Sequence, residues 1–168
     1  MHQDDTESCV SMAVSRIRSM AITWEPILAR SAWQQAVGSL VDSLAVKIIN
    51  DVMELSSIGQ DEAYSIANLI ATVTGLDDLF LPPTTTAKTE EAIPTTAHYA
   101  PSWLRLKYLS EVLQSNLKDV RYLWVEGELS LYFTAEEVVD LIKVSFEDNA
   151  RTREVVKEIS AKPRPMEG

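Results

Sequence analysis

Two histidines, one cysteine and five glycines among 168 residues leave little from which to build a catalytic or metal centre. A lone cysteine, Cys9, excludes an intramolecular disulfide and any cluster resting on several thiolates. Its usage fits a reducing compartment. Cys9 stands at helical spacing from Ala13, so it is expected to be a small buried apolar group rather than a reactive thiol. His2 lies in the terminus and His98 in a Thr/Pro-rich segment, and neither offers the fixed, packed position a general base requires. With one cysteine beside them they cannot complete a zinc site at ordinary spacing. The glycine and serine patterns of phosphate loops, dinucleotide folds and serine hydrolases do not occur. Scarce glycine also disfavours a turn-rich all-β design. Long hydrophobic runs are lacking too. The longest uncharged, mostly apolar run covers residues 63–76, too short and too polar to span a bilayer. The acidic start MHQDDTES has no apolar core and is not expected to act as a signal peptide. No cofactor, no metal and no catalytic residue are expected.

Positive charge is also scarce. Fifteen Lys/Arg face 25 Asp/Glu, a formal net charge of −10. Residues 1–81 hold 4 of the bases and 11 of the acids. Nucleic acid and anionic membrane surfaces are therefore poor partners. The acid serves solubility, or in a sharper reading meets a basic patch on a partner protein. A chain of this length buries about 70% of its unfolded surface and needs no covalent staple.

What the sequence has in quantity is helical periodicity. Val10, Ala13, Val14, Ile17, Met20, Ala21 and Trp24 recur at three-four spacing, and Asp4, Asp5, Thr6 and Glu7 suit the N-terminus of that helix. Pro26 breaks it. A second helix is expected over residues 29–55, with a stripe from Trp33 through Val37, Val41, Ile48 and Val52 to Leu55. Ser57 and Gln60 have capping-box spacing for a third, which carries Ala63, Ile66, Ala67, Ile70 and Val73 and ends near Gly75. Residues 82–101 hold four prolines and six threonines and read as a flexible linker, or as a phosphorylated regulatory loop. Beyond it one long stripe runs from Leu106 to Trp124, and Gly127 interrupts it. Thr134-Ala-Glu-Glu137 opens a further helix as a capping box, and a last helix carries Val155, Val156 and Ile159. The expected fold is all-α: an elongated helical bundle of six or seven helices in two lobes. The lobes cover residues 1–81 and 102–161, joined by 82–101, with a loose tail at 162–168.

The acidic pairs Asp77-Asp78, Glu90-Glu91 and Glu136-Glu137 sit in a turn, the linker and a helix's first turn. They do not converge as carboxylate chemistry requires. Trp24, Trp33, Trp103 and Trp124 each fall on a helical stripe and are expected in the core. If one reaches the surface it would anchor an interface. Leu129, Leu131 and Phe133, just after Trp124, are the expected exposed apolar surface, and with Trp124 they form the candidate partner interface.

The run from Tyr108 to Ile159 resembles the C-terminal end of the zeste-white-ten family. There a Leu-rich helix leads to a tryptophan, a Gly-containing turn, Phe with Ser/Thr, E-V-x-x-L-I-x-x-x-F, and a closing helix with paired arginines. The matching residues are Leu113, Leu117, Trp124, Gly127, Phe133, Thr134, Glu137, Val138, Leu141, Ile142, Phe146, Arg151, Arg153 and Ile159. The stretch from Thr23 to Leu55 is similar to the preceding part of the same region. This chain departs at EGELSLYF, where the family often has a more Gly/Pro-containing turn. The resemblance implies the C-terminal domain of a much longer, all-helical tethering subunit of the CATCHR-like type, non-enzymatic and without cofactors. It implies docking onto an α-solenoid subunit, and indirect engagement of SNAREs and COPI vesicles in Golgi-to-ER retrograde transport. It also implies a cytoplasmic, peripheral place at the endoplasmic reticulum, without direct membrane insertion, and in animals a related role at kinetochores. A stand-alone adaptor that uses the Thr/Pro segment for recognition is the alternative.

Overall fold

The computed structural model describes residues 3–81 and 94–161, and they are helical, with no strand among them. Eight α-helices are present there: α1 (Gln3–Trp24), α2 (Arg30–Met53), α3 (Gln60–Thr74), α4 (Thr96–Tyr99), α5 (Trp103–Leu113), α6 (Leu117–Val125), α7 (Ala135–Ser145) and α8 (Ala150–Ala161). Short 3-10 helices cover Gly75–Phe80 and Leu129–Leu131. The all-α expectation holds, with one more helix than the upper expected number. The expected stripe from Leu106 to Trp124 is divided between α5 and α6. Asn116 divides it, taking extended backbone and accepting the Asp119 N–H on its side chain, which starts a new helix. α1 begins at Gln3, so the acids at 4, 5 and 7 lie within its first turns rather than before it.

The chain forms two compact units, and neither is continuous in sequence. One comprises Met1–Lys47 with Leu69–Leu104; the other comprises Ile48–Asn68 with Arg105–Gly168. The sequence reading expects consecutive lobes. The difference arises because α2 and α3 are long enough for each to contribute to both units, a division that hydropathy patterning does not reveal.

In the first unit, α1 buries Val10, Val14, Ile17 and Ala21. This is a narrower stripe than expected. Met20 is exposed and Trp24 half-buried. Cys9, one residue and therefore about 100° round the helix from Val10, is exposed rather than buried. Trp33 Nε1 donates to the Ala21 carbonyl at 2.7 Å, satisfying the indole inside the core.

The linker expectation covers 82–101, of which 82–93 lie outside the described residues. The remainder is built into the first unit. Thr96 and Ala100 are fully buried. Asp77 accepts hydrogen bonds from the Thr96 hydroxyl (2.6 Å) and Trp103 Nε1 (2.8 Å). Asp42 accepts the Ser102 N–H at 2.7 Å, and the Tyr99 hydroxyl donates to Gln34 Oε1 at 3.0 Å. Composition alone marks this stretch as unable to bury enough apolar surface. Here hydrogen bonds and a tryptophan supply the order instead.

In the second unit the Ile58 N–H donates to the Val144 carbonyl at 2.8 Å, tying the α2–α3 loop to α7. Thr134 and Glu137 form the expected capping box, each side chain bonded to the other residue's N–H. Asn149 caps α8 through the Thr152 N–H at 2.9 Å.

Candidate partner interface

Three of the four expected interface residues are core. Trp124, Leu129 and Phe133 are each at most 1% exposed, whereas Leu131 is 46% exposed. The correction has a local cause. Leu129, Leu131 and Phe133 alternate in sequence, and alternation groups side chains on one face only in extended backbone. Here Leu129–Leu131 is a 3-10 turn, about 120° per residue, which rotates Leu131 away from Leu129. The Phe133 N–H then returns to the Leu129 carbonyl at 3.0 Å and turns Phe133 inward again.

Phe133 is held from one side by a cation. The Arg105 guanidinium carbon lies 4.4 Å from the Phe133 ring centroid. The same guanidinium donates to the Tyr132 carbonyl (2.7 Å) and to both carboxylate oxygens of Glu137. Burial pushes the Glu137 carboxyl up, but the Arg105 hydrogen bonds, the Thr134 N–H and the Arg105 charge together bring it below the ordinary value. Accordingly Phe133→Asp should abolish the cooperative melt of the second unit. Leu131→Asp should shift it by less than about 0.5 kcal/mol, checked by circular dichroism of both variants.

The turn between α6 and Leu131 is closed by Gly127. A Cβ there would stand 2.8 Å from the Leu123 carbonyl oxygen. Around it lie exposed Glu126 and Glu128. The rings of Tyr108 and Tyr132 stack at 4.9 Å, 20° from parallel, and the Tyr108 hydroxyl donates to Glu128 Oε2 at 3.3 Å. Burial raises the Tyr108 phenol pKa, and the neighbouring Glu128 adds to the shift. This aromatic pair carried no signal in the helical stripes, because Tyr108 and Tyr132 are brought together by tertiary packing. Both tyrosines are half-buried, whereas Tyr64 and Tyr122 are the strongly exposed aromatic residues among the described residues of the second unit.

Three further carboxylates do structural work. Asp77 is consumed by Thr96 and Trp103, and Asp78 pairs with Arg18 at 2.8 Å. Glu137 belongs to the capping box. No group of three or more metal-ligating side chains occurs among the described residues, and no described helix is long and apolar enough to cross a membrane. His98 is exposed, edge-on to Tyr99 at 4.8 Å.

Two buried indoles differ in one respect that a melt can read. Trp103 donates to Asp77, whereas Trp124 Nε1 is buried without a hydrogen-bond partner. Trp103→Phe therefore opens a cavity and also strips Asp77 of a donor, at a cost of about 3 kcal/mol. Trp124→Phe opens a similar cavity but removes an unsatisfied donor, so it should cost about 1–2 kcal/mol less. Paired denaturant titrations compare them.

An all-helical domain, in which Asp77 and Glu137 serve packing and a helix cap and Trp33, Trp103 and Trp124 lie in the core, is the class these observations define. The chain belongs to the family of the ZW10 C-terminal helical domain, whose model matches residues 8–159. It is similar to a protein of Arabidopsis thaliana named centromere/kinetochore protein zw10 homolog, 26% identical over 149 residues, 88% of this chain and 20% of that protein. A Rattus norvegicus protein of the same name is 24% identical over 160 residues, 90% of this chain and 20% of the other. Centromere/kinetochore protein zw10 of Drosophila melanogaster is 23% identical over 141 residues, 83% and 18% respectively. The chain thus spans about a fifth of the length of the curated relatives it matches.

Proposed function

We propose that this chain is a non-catalytic docking domain that joins a helical tethering subunit to an α-solenoid subunit of the same complex, in Golgi-to-ER retrograde vesicle transport. The observation that carries the reading is membership in the ZW10 C-terminal helical domain family over nearly the whole chain. The sequence resemblance supplies the tethering role. The described polar residues are consistent with it, since those named above serve helix caps and packing rather than a cleft. Engagement of SNAREs and COPI vesicles would run through the assembled complex, and placement at the endoplasmic reticulum would follow from it. The test is co-elution of this chain with the purified solenoid subunit, with light scattering for mass. A one-to-one complex is the expected result, and separate elution of two folded proteins would overturn the reading.

A second reading, a kinetochore subunit, is favoured by the names of the relatives in plant, rat and fly. A fluorescent full-length fusion in dividing cells separates the two. Recruitment to chromosomes at mitosis supports the kinetochore role, and a reticular pattern throughout the cycle supports the tether. The adaptor alternative is tested by removing residues 84–92. A longer deletion reaching residue 97 would remove Thr96, whose hydroxyl is bonded to Asp77, and so confound recognition with folding.

A further inference from the structure

We infer that the surface formed by Tyr108, Tyr132, Glu128 and Leu131 is a subsite for an arginine side chain carried on a helix of the docking partner. The inference rests on the docking reading for the existence of a partner, and on this surface for its chemistry. A guanidinium is a flat cation that stacks on aromatic faces while its N–H groups meet a carboxylate. The second unit offers both elements within one surface. The tyrosine pair is stacked and half-buried, so its orientation is set in advance. Glu128 is exposed and bonded to Tyr108 only at 3.3 Å, long for an O–H···O bond, which leaves its carboxylate able to accept a stronger donor. Glu126, two residues earlier, is exposed as well. Lys107, beside Tyr108 in α5, is half-buried and already engaged in an interaction of its own. Leu131 adds an exposed aliphatic contact next to Tyr132.

Charge decides the occupant. A second copy of this chain carries the same net charge of −10, so self-association at an acidic surface works against long-range repulsion. A basic helix of another protein is drawn to the same surface. Arginine rather than lysine fits, because the stack rewards a planar cation.

The test uses the intact chain and short alanine-based helical peptides bearing Arg and Leu at i and i+4, with Gln or Lys in place of Arg as comparison. Fluorescence anisotropy reads binding. The Arg peptide should bind at least about fivefold tighter than the Gln peptide and measurably tighter than the Lys peptide. Glu128→Gln or Tyr132→Leu should erase that preference, whereas Asp61→Asn on α3 should leave it. Equal binding of the Arg and Gln peptides overturns the inference, as does a preference that survives Glu128→Gln. Doubling of the light-scattering mass that Leu131→Asp reverses would assign the surface to self-association and also overturn it. The two readings fail separately. Loss of solenoid co-elution with the Arg preference intact removes the docking partner and leaves the subsite. Undiminished co-elution of Glu128→Gln and Leu131→Asp removes the subsite and leaves the docking.

Discussion

Gly38→Ala is expected to lower the stability of the first unit by about 2 kcal/mol, although helix propensity alone forecasts a gain. Gly38 is interior to α2, where exchanging glycine for alanine normally stabilises by about 1 kcal/mol. At this position the new Cβ would lie 2.4 Å from Tyr99 Cβ and 2.7 Å from the Tyr99 carbonyl oxygen. Real carbon atoms do not approach so closely, so α4 must retreat from α2. Retreat strains the attachments that hold the segment: the Tyr99 hydroxyl on Gln34, its ring stacked 6.1 Å from Phe80, and Thr96 on Asp77. Overpacking of this kind costs about 1–3 kcal/mol, and more where backbone is the obstacle. Trimming the tyrosine ring cannot rescue the variant, because the three nearest atoms are Cβ, carbonyl oxygen and carbonyl carbon. In a thermal melt the loss amounts to roughly 4–8 °C for a chain of this size. Gly59→Ala is the control, since its Cβ would meet nothing within 4 Å. A variant at Gly38 as stable as the control would show that α4 does not pack against α2 in solution.

How much of this was legible in advance depends on the kind of interaction. Apolar stripes at helical spacing gave the long helices, and Thr134 with Glu137 declared its own capping box, because both signals are local. Gly38 carries a local signal of the same kind: a lone glycine interior to a long apolar helix opposes propensity and marks a close approach. The linker expectation failed for Thr96 because composition scores apolar burial. It cannot see a buried hydroxyl held by a carboxylate nineteen positions away. Of the expected interface residues Trp124, Leu129, Leu131 and Phe133 only Leu131 is exposed, and rotation is what separates it from Leu129 and Phe133. An alternating apolar pattern looks the same in an extended run and a 3-10 turn, but only the former places every second side chain together. The tyrosine pair lay outside the reach of periodicity, since residues 108 and 132 meet through packing of separate elements.

The other large effect is expected at Arg105, the residue through which α5, the turn at Tyr132 and the start of α7 are joined. Its guanidinium bonds the Tyr132 carbonyl and both Glu137 oxygens and covers the Phe133 ring. Arg105→Leu removes all of these at once, leaving the Glu137 carboxylate, about a quarter exposed, without its cation. A loss of about 2–3 kcal/mol follows, below the figure for a fully buried pair because water still reaches this one. Arg105→Lys should recover less than half, since a point charge can neither bond both carboxylate oxygens in parallel nor stack on the ring. Acid provides the discriminating measurement. Glu137 is held below its ordinary value near 4.5 in the folded protein, so its contribution is fully present above that pH and is lost as pH falls through the folded-state value. Glu137→Gln keeps a side chain able to complete the capping box but has no such titration. The gap in Tm between wild type and Glu137→Gln should therefore be widest near neutrality and narrow steadily below about pH 4.5. The gap to Arg105→Leu should narrow as well, because protonation neutralises the carboxylate that the substitution strands. A gap independent of pH in both variants would show that Arg105 acts through packing on Phe133 alone.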